Sequence, residues 1–257
     1  MAQWTTFPYA GEYNFDVPLV RRHWARLHRG DAEPLPKERK LLEAWALFHS
    51  GEFQRAAEAG LKVGAAGITL ANKSMSIYAT YLEKREKVRQ ELYQEVAQRA
   101  QAQAAQEPSN ANAHYWQAYA LGRYSQGISV AKALAQGLGN RVKTSLERTI
   151  ALQPDHADAH IALGAFHAEV IDKVGSLIGS MTYGARKDVG LTLFQDAMRI
   201  NLESAIAMVE YANALLMLEG DKMMKEATRL YQEAAAFEPL DATERLDVEM
   251  ARAELKD

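Results

Sequence analysis

The sequence predicts an all-α protein, an α-solenoid of antiparallel helix pairs. Three observations lead there. Apolar residues recur three and four apart along most of the chain, as in Leu41, Leu42, Trp45 and Phe48, and no stretch alternates with the period of a strand. Prolines at 108, 154 and 239 punctuate this pattern, and proline ends a helix because it lacks an amide hydrogen and clashes with the preceding turn. The stretch from Leu146 to His167 then shows the repeating unit. It reads as the end of one helix, a turn at Pro154 with Asp155 as the next cap, and a second helix carrying Leu163, Gly164, Phe166 and His167. Gly164 falls mid-helix, where it costs about 1 kcal/mol against alanine, and it marks a close approach of another backbone.

Bulk composition narrows the function classes. The 257 residues are 48% apolar and 25% charged, enough for a large core or a short repeat array. A net charge of -3 gives no basic footprint for nucleic acid or an anionic membrane. The absence of cysteine removes disulfides, thiolate metal sites and cysteine nucleophiles together. No apolar run approaches the ~18 residues of a bilayer span. The N-terminus has no basic start followed by an apolar segment, so it does not read as a signal peptide. The expected location is cytoplasmic, or periplasmic if a leader has been removed.

In chain order, residues 1–35 form an aromatic arm and a short helix, and residues 36–257 form the repeat domain. The arm holds Trp4, Phe7, Tyr9, Tyr13 and Phe15, rings expected to bury themselves against the array. Asp16 caps a helix with Pro18 in its first turn, running from Val17 to Arg29. A helix with Leu41, Leu42, Trp45 and Phe48 follows. After a Ser50-Gly51-Glu52 turn comes another with Phe53, Ala56, Ala57 and Leu61. Further helices are expected over Leu70–Leu82, Glu83–Gln106, Ala111–Gln126, Val130–Leu138 and Asn140–Leu152. One helix from Ala157 continues its stripe through Ile171, Val174, Leu177, Ile178 and Met181, with Gly175 and Gly179 as a smooth contact strip and a loop from Met181. Asp188–Ile200, Ser204–Leu218 and Lys222–Phe237 complete the array, and Thr243–Leu255 is a charged capping helix.

Two motifs recur at the level of helix pairs. The second-helix pattern small-x3-aromatic-x2-small-x4-proline appears as Ala227, Tyr231, Ala234 and Pro239, and less fully as Gly190, Phe194 and Ala197. The first-helix pattern appears as His160, Leu163, Gly164 and His167. These residues resemble the tetratricopeptide repeat (TPR). The spacing of the anchors Ala56, Val96, Val142, Gly190 and Ala227 exceeds the usual period of about 34, so the pattern implies four to five repeats with lengthened helices or inserts, chiefly at 125–140 and 171–187. In this expanded form the chain resembles two groups over roughly residues 110–240: the T component of tripartite substrate (TRAP) transporters, and the regulator-of-microtubule-dynamics family.

Few residues invite chemistry. His156, His160 and His167 lie on one side of a helix, as metal ligands would, yet His160 and His167 hold the aromatic packing positions of the repeat. No phosphate loop, nucleophile elbow or His-Glu-x-x-His motif occurs, so neither enzyme activity nor a metal or other cofactor is expected. The functional surface of such an array is the concave side lined by first helices. Helical phase puts Trp45, His49, Tyr115, Tyr119, Arg123, Glu169 and Asn213 there. Tyr119 and Arg123 are one turn apart, so a ring and a guanidinium share a patch suited to a carboxylate. The expected function is a non-enzymatic interaction scaffold for a peptide or protein partner. The alternative, implied by the transporter resemblance, is a small-molecule accessory protein binding an organic acid. Exposed array ends also leave room for homo-oligomerisation.

Overall fold

A computed structural model describes residues 4–256; Met1, Ala2, Gln3 and Asp257, which fall within the arm and the C-terminal region read from sequence, lie outside the described residues. The described residues contain helices and no strand. They form two compact units, one of residues 4–28, 33–152 and 241–243, the other of 29–32, 153–240 and 244–256. The division therefore falls at the Pro154 turn, whereas the sequence suggests a boundary at residue 35. α1 (Val17–Leu27) belongs with the first unit because the Trp24 indole meets Trp45 edge-on and its Nε1 donates to the Glu33 carbonyl.

The first unit holds three helix pairs: α2 (Arg39–His49) with α3 (Phe53–Val63), α4 (Ile68–Tyr81) with α5 (Glu86–Gln106), and α6 (Ala111–Gln126) with α8 (Leu138–Leu152). The short helix α7 (Val130–Ala135) is the first insert. The pairing is antiparallel, as α4 and α5 show. Thr69 meets Gln103, Asn72 meets Arg99 and Thr80 meets Tyr93, partner numbers falling as residue numbers rise. The caps follow from residue type. Asp16 accepts from the Leu19 amide, Asn110 from Ala113 and Ser129 from Lys132. Pro108 stands in the turn after α5.

The second unit holds α9 (Ala157–Val174) with α11 (Lys187–Ile200), and α12 (Ala205–Glu219) with α13 (Met224–Ala235), followed by α14 (Ala242–Glu254). The second insert is α10 (Ser176–Tyr183). Here one expectation is corrected. The apolar stripe does not continue through residue 181, because Gly175 adopts φ +80 and breaks the helix. The phase is lost there. Leu177, Ile178 and Met181 stand out from α10 at 74%, 57% and 80% exposure, and the loop begins at Gly184. A second correction concerns the cap of α9. The cap is His156 and not Asp155, because the His156 ring accepts from the Ala159 amide at 3.1 Å.

Gly164 does what its mid-helix position suggests. A Cβ there would stand 2.8 Å from the Phe194 ring and 3.1 Å from the Gly190 carbonyl oxygen, so α9 and α11 cross on two glycines. Gly122 in α6 has nothing within 4 Å of its would-be Cβ. Two substitutions of the same kind therefore differ in sign. Gly122→Ala is expected to stabilise by about 0.5–1 kcal/mol through helix propensity. Gly164→Ala is expected to destabilise by about 1–3 kcal/mol through overpacking. Urea denaturation midpoints of the two variants check both.

Candidate functional site

The predicted groove residues divide between the units. Trp45, His49, Tyr115, Tyr119 and Arg123 lie in the first; Glu169 and Asn213 lie in the second. Trp45 and His49 are core residues at 1% and 0% exposure, which corrects their placement on an open face. The reason is α1 and the arm. Trp24 and His28 pack edge-on to the Trp45 ring, and Phe15 packs on His49. The His49 Nδ1–H donates to the buried Asp241 carboxylate at 2.6 Å, and its Nε2 shares a proton with His28 Nε2 at 3.3 Å. Tyr115 is likewise buried, against Trp116 and Tyr119. In the second unit Asn213 accepts from the Tyr231 hydroxyl and joins α12 to α13, while Glu169 pairs with Lys173 one turn on at 3.7 Å.

Tyr119 and Arg123 come together at a surface. Both are half-buried on α6, and the Arg123 guanidinium lies 5.3 Å from the Tyr119 ring centroid. Sequence reading misses what stands behind them. The Thr80 hydroxyl contacts Tyr93 at 3.0 Å and Tyr119 at 2.8 Å, making a chain of three hydroxyls from α5 through α4 to α6. Tyr93 is buried, Thr80 and Tyr119 are half-buried, and either partner of each contact can be the donor, so Tyr119 is the surface end of the chain. Burial, with Tyr119 adding to it, pushes the Tyr93 phenol up to about 12, so Tyr93 keeps its proton at neutral pH. Arg123 adds a cation beside the Tyr119 ring, and the pair suits an anionic acceptor such as a carboxylate. Neither Thr80 nor Tyr93 lies in a motif; only the lone tyrosine among the Glu and Gln of α5 hints at an inward hydroxyl.

The histidines of α9 are structural. His156 caps the helix, the His160 ring bonds to the His156 carbonyl at 3.0 Å, and His167 accepts from the Arg186 amide at 3.1 Å. Among the described residues no group of three His, Asp or Glu side chains is placed to hold a metal. The second unit also has an open cleft of about 460 Å³ lined by Ser176, Ser180, Ala185, Arg186, Lys187, Asp188 and Leu191. Its charges are matched. Arg186 chelates Asp188, which holds that carboxyl below its usual range, and Lys187 pairs with Glu219.

Comparison with known proteins agrees with this architecture. Residues 66–177 match the family described as regulator of microtubule dynamics protein 1-3, a stretch that begins before α4 and ends at the start of α10. It overlaps the 110–240 region of resemblance read from sequence but starts and stops earlier. The fold is similar to the crystal structure of a thermophilic TPR protein from Thermus thermophilus. The TM-score is 0.58 at 15% identity, over 83% of this chain and 97% of that one. At that identity the likeness speaks for the fold. No curated protein matches the sequence. The chain is thus a TPR-like helical-repeat protein that resembles the regulator-of-microtubule-dynamics family over less than half of its length. Neither match points to a transporter component.

The hydroxyl chain has a pH signature. Tyr93 is held at about 12 in the folded protein against 10.0 in the unfolded chain, so the folded form holds the proton more tightly. Its contribution to stability is fully present below the unfolded value of 10.0 and is lost as pH rises toward 12. An alkaline titration of phenolate absorbance should show a late-titrating fraction that Tyr93→Phe reduces. Tyr231, which burial also pushes up to about 12, contributes to what remains.

Proposed function

We propose that the protein is a non-catalytic scaffold that binds a peptide or protein segment bearing a carboxylate, with Tyr119 and Arg123 of the first unit as the recognition pair. The observation that carries this reading is the pairing of Tyr119 with Arg123. A buried phenol and a threonine hydroxyl hold the Tyr119 hydroxyl from behind, beside a guanidinium on the next turn of the same helix. Two convergent donors, one charged, match the two oxygens of a carboxylate.

The fold supports an interaction role. Antiparallel helix pairs of the TPR kind present faces of first helices to partners. The resembled family is named for regulation of microtubule dynamics, which agrees with a role exerted through other proteins. The non-catalytic reading is supported by the use of the polar groups. The α9 histidines serve a cap, a helix carbonyl and a loop amide, and the acids of the second-unit cleft are paired with cations. The described residues contain no helix long and apolar enough to cross a membrane.

A peptide library displayed with free C-terminal carboxylates, and again with C-terminal amides, tests the proposal. Wild-type protein should retain members of the first set and lose them from the second. Arg123→Ala should weaken the retained members by about tenfold or more, the range of a charge-assisted hydrogen bond. Tyr119→Phe should weaken them less. Equal retention of acids and amides, or an unchanged Arg123→Ala variant, overturns the reading.

A further inference from the structure

The segment before α1 sits on the first unit in the manner of a bound peptide. Residues 4–15 form neither helix nor strand. Three of the arm's amides donate to side chains of the underlying helices and turn. The Trp4 amide donates to Gln54 Oε1 at 2.9 Å, the Thr5 amide to the Tyr78 hydroxyl at 3.2 Å, and the Phe15 amide to Ser50 Oγ at 2.9 Å. The Trp4 ring stacks on Tyr78 at 4.2 Å and 14°. Phe7 alone is sunk in the protein, edge-on to Phe53, and the residues on either side of it are exposed.

The sockets are walled by side chains of the helices and the turn between them. Gly51, at φ +84, closes the α2–α3 turn without a side chain, and a Cβ there would collide with the Phe7 ring. Phe48 and Phe53 wall the same socket, 5.5 Å apart. The Tyr78 platform is fixed from behind, because its hydroxyl donates to Glu83 at 2.8 Å and Arg85 grips the same carboxylate at 2.7 Å. A ring pocket, a ring platform and side-chain acceptors spaced along one path are the parts of a peptide-docking surface. α2 and α3 also lie before residue 66, so this surface is largely outside the stretch shared with the resembled family.

We propose that this α2–α4 face is a docking surface for an extended partner segment with two aromatic residues three apart followed by proline, and that Trp4-Thr5-Thr6-Phe7-Pro8 is its resident ligand in cis. The arm guards the surface by its tether. A linked ligand has an effective concentration in the millimolar range for a short connection, so a partner must bind more tightly than the arm does or meet it when it has lifted. Few main-chain bonds hold the arm, and such elements open at far lower free energy than the core. The site is separate from Tyr119 and Arg123, and either can fail without the other.

The test uses the full chain and a fluorescent peptide of residues 4–15. Binding is followed by anisotropy to wild type and to a Trp4→Ala/Phe7→Ala variant. The variant should bind the peptide, and wild type should bind it about tenfold or more weakly, because its own arm competes. A variant that keeps its helical circular dichroism and melting transition but does not bind overturns the proposal. A variant that loses its fold also overturns it, since the arm is then core. Hydrogen exchange on wild type gives an independent reading. The amides of Trp4, Thr5 and Phe15 should exchange about a hundredfold or more faster than those of α4; equal protection overturns the proposal. A concentration-dependent dimer of wild type that disappears in the variant would show arms exchanged between copies, and also counts against docking in cis.

Discussion

The first unit depends on a helix that water does not reach. Residues 69–79 of α4 are all buried, so its polar groups can be answered only from within, and most of them are; Asn72 Nδ2 and Ser76 Oγ have no hydrogen-bond partner. The answers come from each neighbour. α5 supplies Gln103 to Thr69 and Arg99 to Asn72. The Ser74 hydroxyl turns back to the Leu70 carbonyl. α2 supplies two ring faces, Trp45 and Phe48, at 5.7 and 5.2 Å from the Lys73 ammonium. The far end is met by Glu83 at Tyr78 and by Tyr93 and Tyr119 at Thr80. Leu70, Met75 and Ile77 would pack as well in several registers, whereas a row of paired polar groups allows one. A slip of a single turn between α4 and α5 would part the buried Gln103 amide from Thr69, a cost of about 1–3 kcal/mol for the group left unmade. The polar seam thus sets the register, and the candidate site inherits its geometry from it. Thr80 is the last residue of that seam, and Tyr119 is positioned by Thr80.

Much of this was legible in the sequence, and the reasons are local. Pro108, Pro154 and Pro239 all stand outside helices because a missing amide hydrogen acts within one turn. α6 runs over the residues its pattern predicts, Ala111 to Gln126, because Asn110 caps it and Gly127 follows it. Gly164 reports a helix crossing because nothing else explains a glycine in the middle of a strong apolar stripe. The Trp4, Phe7 and Phe15 rings were readable as rings in need of cover. What they cover was not, since Tyr78 and Ser50 carry no mark in the sequence.

The misreadings share a cause, which is contact between residues far apart in the chain. Helical phase puts Trp45 and His49 on one side of α2 correctly, but phase cannot say what lies against that side. Here it is α1, the arm and Asp241, the last of them 192 residues away from His49. Leu177, Ile178 and Met181 are the opposite case. Their spacing fits the stripe of α9, and a single φ of +80 at Gly175 turns that stripe toward solvent. Asp155 lost the cap of α9 to His156, because a ring nitrogen can accept from the Ala159 amide as a carboxylate would. That substitution is invisible to a rule ranking caps by residue type.

The two units are each discontinuous in sequence, and the histidine pair shows what that entails. The first unit takes in residues 241–243, and the second takes in residues 29–32. Both loans are held by specific bonds. The Asp158 amide donates to the Gly30 carbonyl at 2.9 Å, within the second unit. Asp241 accepts from His49, whose other nitrogen meets His28, within the first. Without Asp241, a buried imidazole N–H beneath Phe15 and Trp45 would have no acceptor, and the aromatic cluster that closes α1 onto α2 would enclose an unmet polar group. The first unit is therefore complete only when residues 241–243 have been added, although its helices are finished by residue 152. Arrays in which each pair contacts only its neighbours can add pairs in sequence and stay stable at every stage. This chain departs from that arrangement at residues 29–32 and at the buried Asp241 carboxylate, which closes the aromatic cluster of α1 and α2.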